Sequence, residues 1–432
     1  MSIPLKPVSV GLVFVLALIS LPSAAGQRVD RSKFHIGAYY FADNIADEAH
    51  VKELVDCGLD FMVDVSVKSR KTLDLFKKHG IGAIVNGAVS VWCGGGTNCA
   101  RIAELRPRQG YVDSLDKFVK ELDHPAIWMI DLTDEPGATA FGHFGDICRL
   151  FHEKCPDVLP YVNLFPNYAS HDDPKHPERE THLCIGTYQQ YVDHYTEMFP
   201  LPYISFDHYM MRDNPNFRRQ LYFENLRVVS EACRATGRDL WYIPAVNTTW
   251  AKRRVSENQL RYQAFSSMAY GTVSIAWACW CYGWWNFNVY DKEGKRDDIQ
   301  FEALKTVNFE IRKLAEEYMR YRNVGTKLFY MRMGDASEYY DGWFNGLRPA
   351  DGSSFAVGTM VPRDDGSSAR AVFVFAAADP DDVSKQTHSF SFSATGKVHA
   401  YGPRGEVPLT AGGAGRLTFS LKDSDAVLLV CE

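Results

Sequence analysis

The sequence predicts an α/β protein: a (β/α)8 barrel followed by a small all-β sandwich. Three observations carry that expectation. Strand-like apolar runs and helix-like amphipathic runs alternate eight times between residues 30 and 322. No glycine-rich dinucleotide turn follows the first strand, which argues against a doubly wound sheet. Across residues 325–432 the texture changes to short alternating runs separated by Gly, Asp and Pro turns.

The first strand is expected over residues 35–41, followed by a helix striped by Val51, Leu54 and Val55 and ended by Gly58. A second strand over 60–66 leads to a helix with Leu73 and Phe76 inward and Gly80 closing it. The third strand, 82–86, opens a long loop containing Trp92-Cys93-Gly94-Gly95-Gly96-Thr97-Asn98-Cys99. Its triple glycine lacks the lysine and following helix of a phosphate loop, so it reads as a lid or as a loop tied by Cys93 and Cys99. Val112, Leu115, Phe118, Val119 and Leu122 stripe the third helix, and Ala126-Ile127-Trp128-Met129-Ile130 is the fourth strand. Further strands are expected at 158–165, 203–209, 240–246 and 272–279. Between them lie helices marked by Tyr188, Val192, Tyr195 and Phe199, by Leu221, Leu226 and Val229, and by a Ser256–Gln259 capping box. Leu304, Val307, Ile311 and Leu314 stripe the last helix. In the sandwich, residues 371–375, 388–392, 398–401 and 426–430 carry the alternation.

Residues 1–25 read as a signal peptide and predict a secreted or periplasmic protein: Lys6 is the basic start, 8–19 the apolar core, and Ser23-Ala24-Ala25 the small-residue cleavage site. No later segment is apolar and long enough to span a bilayer. A net charge of -6 and a pI near 6.1 give no basic footprint for nucleic acid. Aromatics make up 13% of the chain, with 22 Tyr and 9 Trp, which suits a surface that stacks flat apolar faces. The ten cysteines are too few and scattered for a dense disulfide framework. Cys148 and Cys155 flank a helix end and form a second plausible bridge, whereas Cys279 and Cys281 read as small core residues. No His/Cys cluster has zinc spacing, so neither a metal nor a cofactor is expected. Asn247-Thr248-Thr249 is a glycosylation sequon.

The chemistry centres on Asp131-Leu132-Thr133-Asp134-Glu135-Pro136-Gly137. Alternation from Ile127 puts Met129, Asp131, Thr133 and Glu135 on one face. Buried carboxylates are costly unless paired or open to water, so acids ending a buried strand suggest the rim of a cleft. Helix-capping acids are the plainer reading. Barrel function gathers at the C-terminal strand ends, and there the sequence also places Asp64, Asn163, Asp207, His208, Tyr209, Trp277, Trp280, Trp284 and Trp285. Carboxylates and aromatics without a metal cluster describe a sugar cleft better than a nucleophilic triad.

This arrangement resembles the glycoside hydrolases of clan A, especially the β-galactosidase-like branch with a small C-terminal β domain. In that clan an Asn-Glu pair ends strand four and its Glu is the general acid/base. Here the pair reads Asp134-Glu135, so the resemblance implies that role for Glu135, while Asp134 departs from the Asn. His208-Tyr209 matches the His or Tyr of strand six, and Trp277 or Trp280 the Trp of strand eight. The nucleophilic Glu of strand seven has no counterpart in Trp241-Tyr242-Ile243-Pro244-Ala245-Val246-Asn247. Glu257 comes later, but it follows the Ser256 cap, where acids stabilise helix starts.

Asp207 is then the expected second carboxylate. Strands two steps apart have backbones roughly 9–10 Å apart. That allows carboxylates about 6.5–9.5 Å apart, which suits inversion, whereas retention needs about 5–5.5 Å. The resulting expectation is a secreted enzyme that cleaves O-glycosidic bonds of an oligo- or polysaccharide, with Glu135 and Asp207 catalytic. Asp64, Trp92, Asp134, Asn163, Tyr209, Trp280, Trp284 and Trp285 would bind the carbohydrate. A non-catalytic carbohydrate-binding barrel is the alternative.

Overall fold

A computed structural model describes residues 28–42, 45–86, 116–170, 182–211, 215–248, 253–283, 285–330, 337–364, 367–381 and 386–432. The expected signal peptide, Trp92, Cys93, Cys99 and Trp284 lie outside the described residues.

Eight parallel strands close into a barrel in chain order: β1 (His35–Tyr39), β2 (Phe61–Ser66), β3 (Gly82–Asn86), β4 (Ile127–Asp134), β5 (Leu159–Leu164), β6 (Tyr203–Asp207), β7 (Asp239–Ile243) and β8 (Thr272–Trp277). The helices α1 (Glu48–Asp56), α2 (Arg70–His79), α3 (Phe141–Lys154), α4 (Tyr188–Met198), α5 (Pro215–Thr236), α6 (Glu257–Ala269) and α7 (Asp298–Tyr318) run between the strands and after β8. Residues 116–121 are helical between β3 and β4. Short polar side chains start several helices, as they satisfy N–H groups that have no partner inside the helix. Asp47 accepts from the His50 amide, Thr187 from Gln190 and Asp297 from Gln300, and Ser256 and Gln259 cap each other reciprocally.

Rings from six strands meet inside the barrel. His35 lies 5.1 Å from Trp128, Trp128 6.2 Å from Phe61, Phe61 6.0 Å from Trp241 and Trp241 4.9 Å from Tyr203. Tyr161 joins them through Tyr203 at 6.2 Å. Non-adjacent strands such as β2 and β7 touch only through the interior, so these rings plug it. Gly82 makes room, because a Cβ there would sit 2.2 Å from the Trp128 ring. This corrects the face assigned to β4: Trp128, rather than Ile127 and Met129, points inward. Register shifts against β3 and again between Asp131 and Thr133 against β5 break the alternation.

The C-terminal strands form two antiparallel sheets. One has the order β15-β14-β18-β12-β11-β9: β9 (Tyr321–Phe329), β11 (Phe355–Pro362), β12 (Arg370–Ala376), β14 (Val398–Gly402), β15 (Gly405–Glu406) and β18 (Ala426–Cys431). The other has the order β10-β13-β17-β16: β10 (Asn345–Pro349), β13 (Thr387–Ser393), β16 (Thr410–Ala411) and β17 (Leu417–Lys422). β12 is apolar on both faces because both are covered. Val372 and Val374 face the second sheet, while Phe373 and Phe375 meet Tyr318 and Tyr262 of the barrel helices. For the same reason α6 is buried along nearly its whole length. Among the described residues no helix is long and apolar enough to cross a membrane.

Cys148 and Cys155 are both free, which corrects the expected bridge. Cys148 lies inside α3 and Cys155 caps it. Helical rise separates them by about 10 Å, beyond the roughly 4.4–6.8 Å that a disulfide spans.

Candidate active site

Three alternate strands deliver five acids to the C-terminal mouth: Asp64 from β2, Asp131, Asp134 and Glu135 from β4 and its end, and Asp207 from β6. The backbone is strained just past two strand ends, with φ of +64° at Tyr40 and +49° at Glu135, and inside β2 at Asp64, φ +64°, where the register against β3 shifts. Such conformations cost of order 1–3 kcal/mol each and persist where surrounding structure imposes them, often at functional sites. At Glu135 the imposing contact is a 2.9 Å hydrogen bond from its amide to the Asn163 carbonyl. Glu135 keeps part of its surface exposed, as do Asp64, Asp131 and Asp134, whereas Asp207 is buried.

The acids raise one another. Burial lifts Asp131 well above the ordinary carboxyl range, and Asp134 and Asp64 add to it. Burial also lifts Asp134, opposed by a hydrogen bond from Asn163 and reinforced by Asp64. Asp207 is lifted by burial and then by Asp134, against hydrogen bonds from Asn163 and Glu135. Asp64 is raised by burial, partly offset by the amide of Asn86 on β3.

Glu135 lies close enough to Asp207 to bear on its ionisation.

Asn163 lies at the centre of this arrangement and is buried, so it does not present itself to a sugar as expected. Its Nδ2 donates to Asp134 Oδ1 at 3.1 Å and to Asp207 Oδ1 at 2.9 Å. Its Oδ1 accepts from Ser205 Oγ at 3.1 Å. Ser205 Oγ lies 3.1 Å from Tyr161 OH, which lies 2.9 Å from Tyr39 OH. Tyr39, Tyr161 and Ser205 carried no motif that sequence reading could find; only their inward position joins them, Tyr161 and Ser205 from the adjacent β5 and β6 and Tyr39 from β1 across the barrel.

The aromatic expectations divide. Trp285 keeps partial exposure and meets the partly exposed Tyr209 edge-on at 4.4 Å. Tyr40 adds another half-buried ring at the mouth. Trp280 is fully buried, donating from Nε1 to His50 Nε2 at 2.8 Å and packing on Tyr290, so it is not a subsite wall. Beside the loop that carries Trp285 lies a cavity of about 630 Å³, lined in part by Tyr282, Phe287, Asn288 and Arg254. Asn247, beyond β7, is fully buried and donates to Asn288 Oδ1 at 2.7 Å, which removes it as a glycosylation acceptor. Among the described residues no group of three or more His, Cys, Asp or Glu could hold a metal ion.

The fold is a (β/α)8 barrel with acids at its C-terminal mouth and a β-sandwich attached, an architecture also found among solved glycoside hydrolases. A β-galactosidase from Bacillus circulans sp. alkalophilus is similar over 93% of this chain and 99% of its own, with a TM-score of 0.56 and 9% identity. At that identity the likeness establishes the fold. A glycoside hydrolase family 5 mannosidase from Rhizomucor miehei (TM-score 0.45, 11% identity, 68% of this chain and 99% of its own) also matches. So does an α-fucosidase from Thermotoga maritima (TM-score 0.43, 11% identity, 90% and 82%). No protein-family model matches the sequence, and neither does any curated protein.

Proposed function

We propose that the protein is an exported glycoside hydrolase acting on an oligo- or polysaccharide. The observation that carries this reading is the convergence of a part-exposed Glu135 and a buried Asp207 at the ends of alternate strands of the barrel mouth. A carboxylic acid beside a carboxylate is the equipment of general acid catalysis. Glu135 would protonate the leaving oxygen of an entering sugar. Asp207 would draw a proton from water attacking the opposite face, which inverts the anomeric centre; inverting pairs stand about 6.5–9.5 Å apart. Tyr40, Tyr209 and Trp285 would stack on the sugar, and Asp64 and Asp134 would hold its hydroxyls.

A non-catalytic carbohydrate-binding protein is the second reading, favoured by the buried Asn247 where a nucleophilic acid is expected. A panel of galactosides, mannosides, fucosides and polysaccharides separates the two readings. The wild type should release sugar, and Glu135→Gln should lose about 10²–10⁴-fold in kcat with KM held. Unchanged turnover in that variant rejects the acid role; wild-type binding without turnover supports the second reading. NMR of the first-formed anomer tests Asp207, since a retained anomer removes it as an inverting base. N-terminal sequencing of protein recovered outside the cytoplasm tests export, which predicts loss of residues 1–25.

A further inference from the structure

We propose that Asn163 decides which carboxyl of the mouth carries the proton, and that Ser205 and Tyr161 lock it in the orientation that does so. The inference rests on reading Glu135 and Asp207 as acid/base machinery. It begins from the amide itself, which has one accepting oxygen and one donating nitrogen. Two carboxyl oxygens lie on the Nδ2 side, at 3.1 Å and 2.9 Å. A flipped amide would turn its oxygen toward both acids, and it would set its N–H groups against Ser205, whose single proton would then need another acceptor.

The hydroxyls have one consistent direction. Ser205 gives its proton to Asn163 Oδ1, so Tyr161 donates to Ser205 and Tyr39 donates to Tyr161. All four residues are buried, where such a chain polarises in one sense and resists reversal. Its end effect is two N–H groups aimed at Asp134 and Asp207. Donated hydrogen bonds favour the ionised form of an acid. Glu135 receives none from Asn163, so the amide favours charge on Asp134 and Asp207 over Glu135.

Other titratable groups face these acids. Asp207 faces Tyr188 and Tyr191 of α4, Tyr242 of β7 and Tyr209, besides Asp134 and Glu135. Asp134 faces Asp64 and Asp131, Tyr39 of β1 and Tyr40 just beyond it, Tyr161 of β5, and Tyr209. Burial raises every one of these tyrosines further above its ordinary value, so the carboxyls alone titrate across the working range.

The test follows carboxyl carbons by NMR through a pH titration of the full-length protein labelled at Asp and Glu, with Asn163→Leu and Ser205→Ala beside the wild type. Asn163→Leu should raise the midpoints of Asp134 and Asp207 by roughly one unit or more and move the acid limb of the kcat/KM profile up with them, with KM held. Ser205→Ala should give a smaller rise in the same direction. Midpoints that stay in place in both variants overturn the proposal. Should Asn163→Leu fail to fold by circular dichroism, Ser205→Ala decides alone, and unmoved midpoints overturn it there. Midpoints that move in a protein with no turnover of any glycan uphold proton placement and reject the catalytic reading instead.

Discussion

Replacing Asp207 with Asn should make the protein more stable and less active at neutral pH. Asp207 is buried, with a carboxyl raised above its ordinary value by burial and by Asp134. A carboxyl whose folded pKa exceeds its unfolded one binds more protons when folded, so stability falls as pH rises from the unfolded value of about 3.9 through the folded one. Through that window the native state keeps a proton that the unfolded chain releases. A neutral amide of the same shape removes that demand and keeps the contact with Asn163, its oxygen accepting from Asn163 Nδ2, now 2.9 Å from Asp207 Oδ1. Each unit of displacement corresponds to about 1.4 kcal/mol. With the carboxyl pushed up to about 8, the relief builds from about pH 3.9 and reaches the order of a few kcal/mol at about pH 7.5, or several degrees in Tm for a chain of this size. Thermal melts by circular dichroism at about pH 7.5 and about pH 4 measure it. The gain should shrink at the lower pH, where folded Asp207 is protonated and the unfolded chain is already about half protonated. A variant less stable than the wild type at neutral pH, or a gain independent of pH, refutes the reasoning.

In the sandwich, His388 is buried with Nε2 2.5 Å from Asp423 and Nδ1 2.7 Å from Asp351. Burial alone lowers its pKa, but the bonds to Asp423 and Asp351 outweigh burial and hold it above the ordinary value. Its contribution is complete below about pH 6.5 and fades as pH rises through the folded value. His388→Gln should accordingly cost several degrees of Tm at about pH 6 and much less at about pH 9; an equal loss at both contradicts a charged imidazole. At the barrel–sandwich junction, a Cβ on Gly358 would lie 2.2 Å from the Ala269 carbonyl oxygen. Gly358→Ala should destabilise by about 1–3 kcal/mol in urea melts, and a neutral result would mean the two parts do not pack as described. Cys148 and Cys155 should both be alkylated in protein unfolded without reductant, which mass spectrometry reads directly; a protected pair would mean that they are bonded.

The alternation of strand and helix, the helical stripes at Val51–Leu54 and Leu304–Leu314, the Ser256–Gln259 cap and the period-two runs of the sandwich were all readable along the chain, because each rests on neighbours within one or two turns. The placement of Asp64, Asp134, Glu135 and Asp207 on alternate strands also followed, since strand ends in a closed barrel converge. What the sequence could not settle lies across strands. Trp128 turns inward because β4 shifts register against its neighbours, and no local alternation encodes such a slip. Trp280 is indistinguishable from Trp285 as a letter; one is sealed against His50 and the other stays open beside Tyr209. Asn163 reads as a strand-end amide until Ser205 is brought to one side of it and two carboxyls to the other. Residue types and periodicity determined the barrel and the acids it would gather, while closure of the barrel alone decided that one amide bridges Asp134 and Asp207, because that depends on contacts between side chains far apart in the chain.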